Sequence, residues 1–157
     1  KTCHVCKNKI TASSIEGLVC SECWGKIKKN LPPFCYSCGR SLIEEKSINN
    51  YCASCAGSAL YFDRAFAPFS YEGVLKELIH AFKYRNYDYL GDILAKPLIE
   101  FINEYNLPIQ SIDLVLPIPL YKAKLREREF NQSAILAKHL AEKFNKNTPF
   151  GANVQNI

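Results

Sequence analysis

The chain has 157 residues, 48% apolar and 22% charged, with eight cysteines and a formal charge of +5. That balance is ordinary for a folded globular chain and excludes a low-complexity or wholly disordered one. No apolar run approaches the roughly 18–20 residues of a membrane helix, and the start KTCHVCKNKI lacks an apolar h-region, so neither a span nor an export signal is expected.

The cysteines come first in chain order. All eight fall within the first 55 residues as four CxxC pairs: CHVC (3–6), CSEC (20–23), CYSC (35–38) and CASC (52–55). Thirteen residues separate the pairs of each half, and the second half repeats the first at an offset of 32. Such a period marks a duplicated unit. Two knuckles supply four thiolates to one tetrahedral Zn²⁺. Disulfides are the competing reading, since an even count permits them. They fit poorly where no export signal exists, because cytosolic thiols stay reduced. A redox-active CxxC belongs in βαβ surroundings that this segment lacks. Two zinc ions are therefore expected. Each 21-residue repeat holds a complete site, which favours Cys3/Cys6/Cys20/Cys23 and Cys35/Cys38/Cys52/Cys55. A cross-braced arrangement, first pair with third and second with fourth, stays open. Full coordination leaves no position for catalysis, so the metal is expected to staple the fold.

The charge is uneven: residues 1–60 carry +4 and residues 61–157 only +1. Each zinc bound by four thiolates is a unit of −2, so two would bring the total to about +1. Attraction for an anion must then come from local patches. Lys26, Lys28 and Lys29, with Trp24 or Tyr36 stacking on bases, form one such patch. A solvated lysine face is the competing reading.

CAGSAL (55–60) is small and turn-prone, and separates a module at 1–58 from a second domain at 61–157. YFDRAFAPFSY (61–71) reads as an edge strand or short hairpin, because Pro68 is tolerated only at an edge or end. EGVLKELIHAFKY (72–84) is a predicted helix with Val74, Leu75, Leu78, Ile79 and Phe82 on one stripe and Lys76, His80 and Lys83 on another. His80 has no evident carboxylate partner and reads as structural. KYRNYDY (83–89) sets Lys83 and Arg85 beside three tyrosines, a mixture that suits stacking and phosphate contact, with packing as the competing role. A second helix is predicted over 89–105, kinked or split by Pro97, which cannot donate its i→i−4 bond. SIDLVLPIP (111–119) is nearly continuous in apolar residues, as in a strand of a parallel sheet covered on both faces. Asn131 is the expected N-cap of a helix at 132–145, with Leu136, Ala137, Leu140, Ala141 and Phe144 on its buried stripe. Ligands of open α/β sheets bind beyond the carboxyl ends of strands. The loop 117–131, with Lys122, Lys124, Arg126 and Arg128, lies there and is expected to meet an anion. Glu127 and Glu129 soften its field, and a solvated loop competes with that reading.

CGRSL, FDRAFAPFSYEGVLKELIHAFKYR and VLPIPLYKAKLREREFNQSAILAKHLA, behind the cysteine-rich start, resemble the ComF/ComFC family from Cys3 to about Ala141. Its members are phosphoribosyltransferase-like proteins associated with bacterial competence for DNA uptake. The resemblance implies an α/β fold, an N-terminal double zinc ribbon followed by a partial type I phosphoribosyltransferase-like parallel-sheet domain. It implies that Arg126 and Arg128, with Lys122 or Lys124, hold the diphosphate of phosphoribosyl pyrophosphate or a nucleic-acid phosphate. Arginine suits this because its fork bonds two oxygens at once. Lys83 matches a basic family position, with Arg85 beside it, and Asn131 and Gln132 fix the loop and cap the helix. Mg²⁺ is implied only with phosphoribosyl pyrophosphate.

The implied role is that of a cytoplasmic competence accessory protein handling incoming single-stranded DNA. DNA-translocation or competence partners would recruit it to the inner face of the membrane. The alternatives are a phosphoribosyltransferase in the full-length protein, or a zinc-ribbon protein-interaction module. One departure matters: the family has a later acidic pair and a Thr/Gly-rich loop that cradles ribose 5-phosphate. NTPFGANVQNI (147–157) contains neither. The 97 residues from 61 onward hold one clear central strand, where a covered parallel sheet needs several. The chain is therefore expected to stop short of that loop, to have no catalytic residues, and to be inactive as given.

Overall fold

The computed structural model describes residues 1–10, 13–43 and 45–149. In the first cysteine repeat, Ser14–Ile15 (β1) pairs antiparallel with Val19–Cys20 (β2). Cys20 then caps the short helix Ser21–Gly25 (α1), its side chain accepting from the Cys23 N–H. In the second repeat, Ser47–Ile48 (β3) pairs antiparallel with Tyr51–Cys52 (β4). The intervening Asn49 and Asn50 have φ of 50° and 64°, the pair of left-handed residues that a two-residue hairpin turn requires.

Two of the predicted helices keep their bounds to within a residue: Gly73–Tyr84 (α2) and Leu90–Glu104 (α3). The third, Gln132–Phe144 (α5), starts after Asn131, whose Oδ1 accepts from the Ser133 N–H at 3.0 Å as an N-cap should. Pro97 neither splits nor ends α3, which runs on as one helix. Its missing N–H weakens the ladder by about 3 kcal/mol. Ile93, Leu94, Pro97 and Phe101 are all buried, and their packing offsets that loss.

One core joins the first ribbon to the helices. Cys3, Val19, Cys23 and Ile27 pack with Leu75, Leu78, Phe82, Leu90, Ile93 and Leu94. A smaller cluster of Cys35, Leu42, Cys52 and Cys55 belongs to the second ribbon alone. Helices α3 and α5 meet at Gly91, where an added methyl would collide with Ile135 Cγ2 and sit 3.6 Å from the Phe82 ring. Gly91→Ala is expected to lower stability by about 1–2 kcal/mol, since overpacking outweighs the better helix propensity. A urea midpoint that falls with unchanged slope is the check.

The second ribbon is fastened by Asn30, which is 8% exposed. Its Nδ2 donates to the carbonyls of Gly39 and Ala67, both at 2.7 Å, and its Oδ1 accepts from the Ser41 N–H at 2.8 Å. Gly39 has φ of +68°, and a side chain there would press into the backbone of Ala65 and Phe66. Segment 65–69 thus lies directly on the CGRS turn.

Three expectations need correcting. Residues 61–71 form no strand; apart from one antiparallel bridge, Lys29 to Phe69, they are irregular. Residues 111–119 are largely extended but not covered on both faces, for Leu116 is 65% and Ile118 77% exposed. Their one pairing is a parallel bridge between Leu114 and Asn147. The chain is α/β, and among the described residues the only sheets are the two antiparallel pairs, with no parallel sheet. A parallel strand needs a neighbour from another part of the chain, and here a single residue supplies it. Finally, the expected loop 117–131 contains the helix Lys122–Arg128 (α4), closed by Glu129 at φ 65°. Alternating charge across one turn did not reveal it. Residues 150–157 of NTPFGANVQNI lie outside the described residues. Among the described residues no helix is long and apolar enough to cross a membrane.

Candidate functional site

The cysteines gather sequentially, Cys3/Cys6/Cys20/Cys23 and Cys35/Cys38/Cys52/Cys55, with the sulfurs of each quartet within 4.8 Å of one another. A cross-braced pairing is not what the chain forms. The Cys6–Cys20 and Cys38–Cys52 sulfur pairs are each 3.8 Å apart. Four sulfurs placed about 2.3 Å from a tetrahedral Zn²⁺ are separated by about 3.8 Å, so the donor set fits that ion. The repeat is also exact in its supporting bonds. Cys20 N–H donates to Cys3 Sγ at 3.4 Å and Cys52 N–H to Cys35 Sγ at 3.3 Å.

These bonds polarise each quartet. Burial pushes the Cys3 and Cys35 thiols up, but backbone N–H groups, those of Cys20 and Cys52 foremost, outweigh it and bring both down to about 6. Burial and the neighbouring sulfurs push Cys23 and Cys55 up to about 12. Metal binding to such a set displaces protons, and four thiolates close the coordination shell.

The predicted basic residues divide into groups. Lys122, Lys124 and Arg126 are exposed on α4 and Arg128 is half-buried at its end. Lys124 is paired with Glu127 at 2.7 Å. Among the described residues Lys122 and Arg126 carry no ion pair, and neither do Lys83 and Arg85. Arg128 lays its guanidinium 4.7 Å over the ring of Tyr84 and donates from Nη1 to Gln132 Oε1 at 3.3 Å. Asn86 Nδ2 donates to Glu129 Oε2 at 2.9 Å. The turn that carries Lys83 and Arg85 is thereby held against the C-terminal end of α4, where cations also suit the helix dipole. Glu127 and Glu129 set two carboxylates among the four cations of residues 122–128.

Extended segment 112–119 is tied to the same place. Asn131 Nδ2 and Ser133 Oγ both donate to the Ile118 carbonyl, at 3.0 and 2.6 Å. Tyr87 and Tyr89 stack on each other at 5.3 Å and pack on His4 of the first ribbon at 5.0 and 5.7 Å. The tyrosine-rich turn therefore links the first metal knuckle to the basic helix.

The lysine patch of the first ribbon fits the solvated-face reading better than phosphate contact. Lys26 pairs with Glu22 and Lys28 with Glu72, while Trp24 packs against the core. Tyr36 is exposed but already carries Arg64 at 4.7 Å. His80 packs 4.6 Å from Tyr84. Sequence reasoning missed Asn30; it grouped Tyr84 with the other tyrosines of its turn without a partner, and gave Gln132 a loop-fixing and capping role rather than a bond to Arg128. The signal for Gln132 was its place directly after an N-cap and four residues beyond an arginine.

A ribbon with two sequential four-cysteine sites, followed by a small helical unit with a basic turn, defines the class, and residues 1–56 match the double zinc ribbon domain family. Over most of its length the chain is similar to two competence proteins. It is 28% identical over 133 residues to competence protein ComFC of Bacillus subtilis, covering 78% of this chain and 51% of that protein. It is 25% identical over 140 residues to competence protein F of Haemophilus influenzae, covering 88% of this chain and 55% of that one. The chain thus spans about half the length of the curated relatives it matches. No solved structure gives a significant match.

Proposed function

We propose that this chain is a competence accessory protein of the ComF type that holds two zinc ions in its ribbons and binds phosphate-bearing ligands, single-stranded DNA foremost. One observation supports the reading: Arg128 packs on Tyr84, which sets the end of the cationic helix α4 against the segment that carries Lys83 and Arg85. The eight cysteines are the zinc ligands, and Lys122, Lys124, Arg126, Arg128, Lys83 and Arg85 are the phosphate contacts. Exposed aromatics beside unpaired cations suit a single strand, whose bases stack while its backbone is neutralised. Similarity to two competence proteins supports the role, and a cytoplasmic location and competence partners are part of this proposal.

Arg126→Ala/Arg128→Ala is expected to weaken binding of an oligo-dT strand at least tenfold at low salt, with a shallower salt dependence than wild type. Electrophoretic mobility shifts over a salt series provide the check. Equal, negligible binding by both proteins would remove the physical basis of this reading.

The parallel bridge at Leu114 and the basic helix just beyond it favour a second reading for a protein of the relatives' full length. There the extended segment is the first core strand of a phosphoribosyltransferase-like parallel sheet, and the same cations meet phosphoribosyl pyrophosphate with Mg²⁺. Calorimetric titration with that ligand and Mg²⁺ separates the two readings.

A further inference from the structure

Gln132 opens α5 and is only 6% exposed. Its Oε1 accepts from Arg128 Nη1 at 3.3 Å, which sets the orientation of the amide. Turned over, its NH₂ would face another donor. Among the described residues, Gln132 Nε2 and Arg128 Nε are buried and have no acceptor. Buried donors are nearly always paired, so two on adjacent side chains call for an explanation. The two side chains are bonded to each other, and Gln132 is the first residue at the N-terminal, positive end of a thirteen-residue helix. Lys122 and Arg126, unpaired on α4, add positive charge nearby.

We propose that Arg128 Nε and Gln132 Nε2 are the two donor arms of a single oxyanion seat whose ligand is a phosphate group, either a phosphodiester of single-stranded DNA or a free phosphate. This rests on the phosphate-binding reading above and adds the donor pair that performs it. A phosphate is acceptor-only and anionic, and one tetrahedral group offers oxygens to both arms. A neutral carbonyl would satisfy one arm without drawing on the surrounding cations. The ring of Tyr84, which is 49% exposed, lies over the guanidinium and has to turn aside for the seat to fill.

The test uses the full, zinc-loaded chain, labelled with ¹⁵N and titrated separately with oligo-dT and inorganic phosphate. The Arg128 Nε–H and Gln132 side-chain amide resonances are expected to shift together. Response to both ligands identifies a seat for free phosphate, and response to oligo-dT alone identifies a phosphodiester seat. Gln132→Met keeps the length and burial of the side chain, while Gln132→Glu keeps the acceptor for Arg128 and loses the donors. Both are expected to weaken binding at least tenfold; the thermal midpoint of Gln132→Glu holds or rises, because a donor without a protein acceptor is removed while the acceptor for Arg128 stays. If wild type and both variants bind oligo-dT equally, the seat is wrong and the phosphate-binding reading survives. A lower midpoint with unchanged affinity would make Gln132 purely structural. If wild type binds neither ligand, both proposals fall together.

Discussion

Cys3→Ser is expected to unfold the helices along with the first ribbon, whereas Cys35→Ser leaves the helices standing. The two cysteines occupy equivalent places in the repeat, and each is fully buried. Their surroundings differ. Cys3 is part of the core that contains Leu78, Phe82, Leu90 and Ile93, while Cys35 is part of a cluster confined to its own ribbon. Zinc held by such a site contributes on the order of 10 kcal/mol to folding of a small module, as much as the whole stability of an ordinary domain. Losing the first site therefore leaves the shared core without support. Losing the second frees Leu42 and Tyr51 and loosens the contacts of Asn30 and Phe34 that fasten this ribbon, but leaves the shared core in place. Metal analysis should find about one zinc per Cys35→Ser chain with the helical circular dichroism retained. Cys3→Ser should have lost most of that signal at the same temperature. Equal loss from the two variants would show that the ribbons fold as one unit and overturn the asymmetry.

Asn30→Leu is expected to cost about 2–4 kcal/mol, a large effect for a residue away from the metal sites. The change strands the Gly39 and Ala67 carbonyls and the Ser41 N–H together, all three of which Asn30 satisfies. Volume is not the cause, because leucine is close to asparagine in size. Asn30→Asp should be nearly as harmful, since a carboxylate in place of the amide faces two carbonyl oxygens and has nothing to donate. Denaturant unfolding measures the loss. Faster proteolysis within 61–71 should accompany it, because Asn30 is what ties Ala67 to the second ribbon. A loss under about 0.5 kcal/mol would mean that backbone pairing, such as Asn30 N–H to the Pro68 carbonyl at 2.9 Å, holds the segment alone.

The helices and metal sites were legible because both signals are local. A stripe at helical spacing identified α2 and α5, and the N-cap at Asn131 was visible in the sequence. The strand expectations failed for a physical reason. SIDLVLPIP has the composition of a covered strand, but composition does not supply the neighbouring strands that cover it. Leu114, Leu116 and Ile118 accordingly face outward among the described residues. Helix α4 was missed because its charges, not an apolar stripe, dominate KAKLRER. Asn30 was missed because its three partners are 9, 11 and 37 residues away.

By itself, then, the sequence determined two four-cysteine sites and their count, since a 32-residue repeat of CxxC pairs admits few other chemistries. It also determined the existence of a cationic segment between an apolar run and a helix. Only the tertiary structure decided that the cysteines pair sequentially, that the first site alone is built into the helical core, and that Arg128 rests on Tyr84 with Gln132 beside it. Those outcomes depend on which surfaces meet, and contacts between distant residues follow from packing rather than from spacing along the chain.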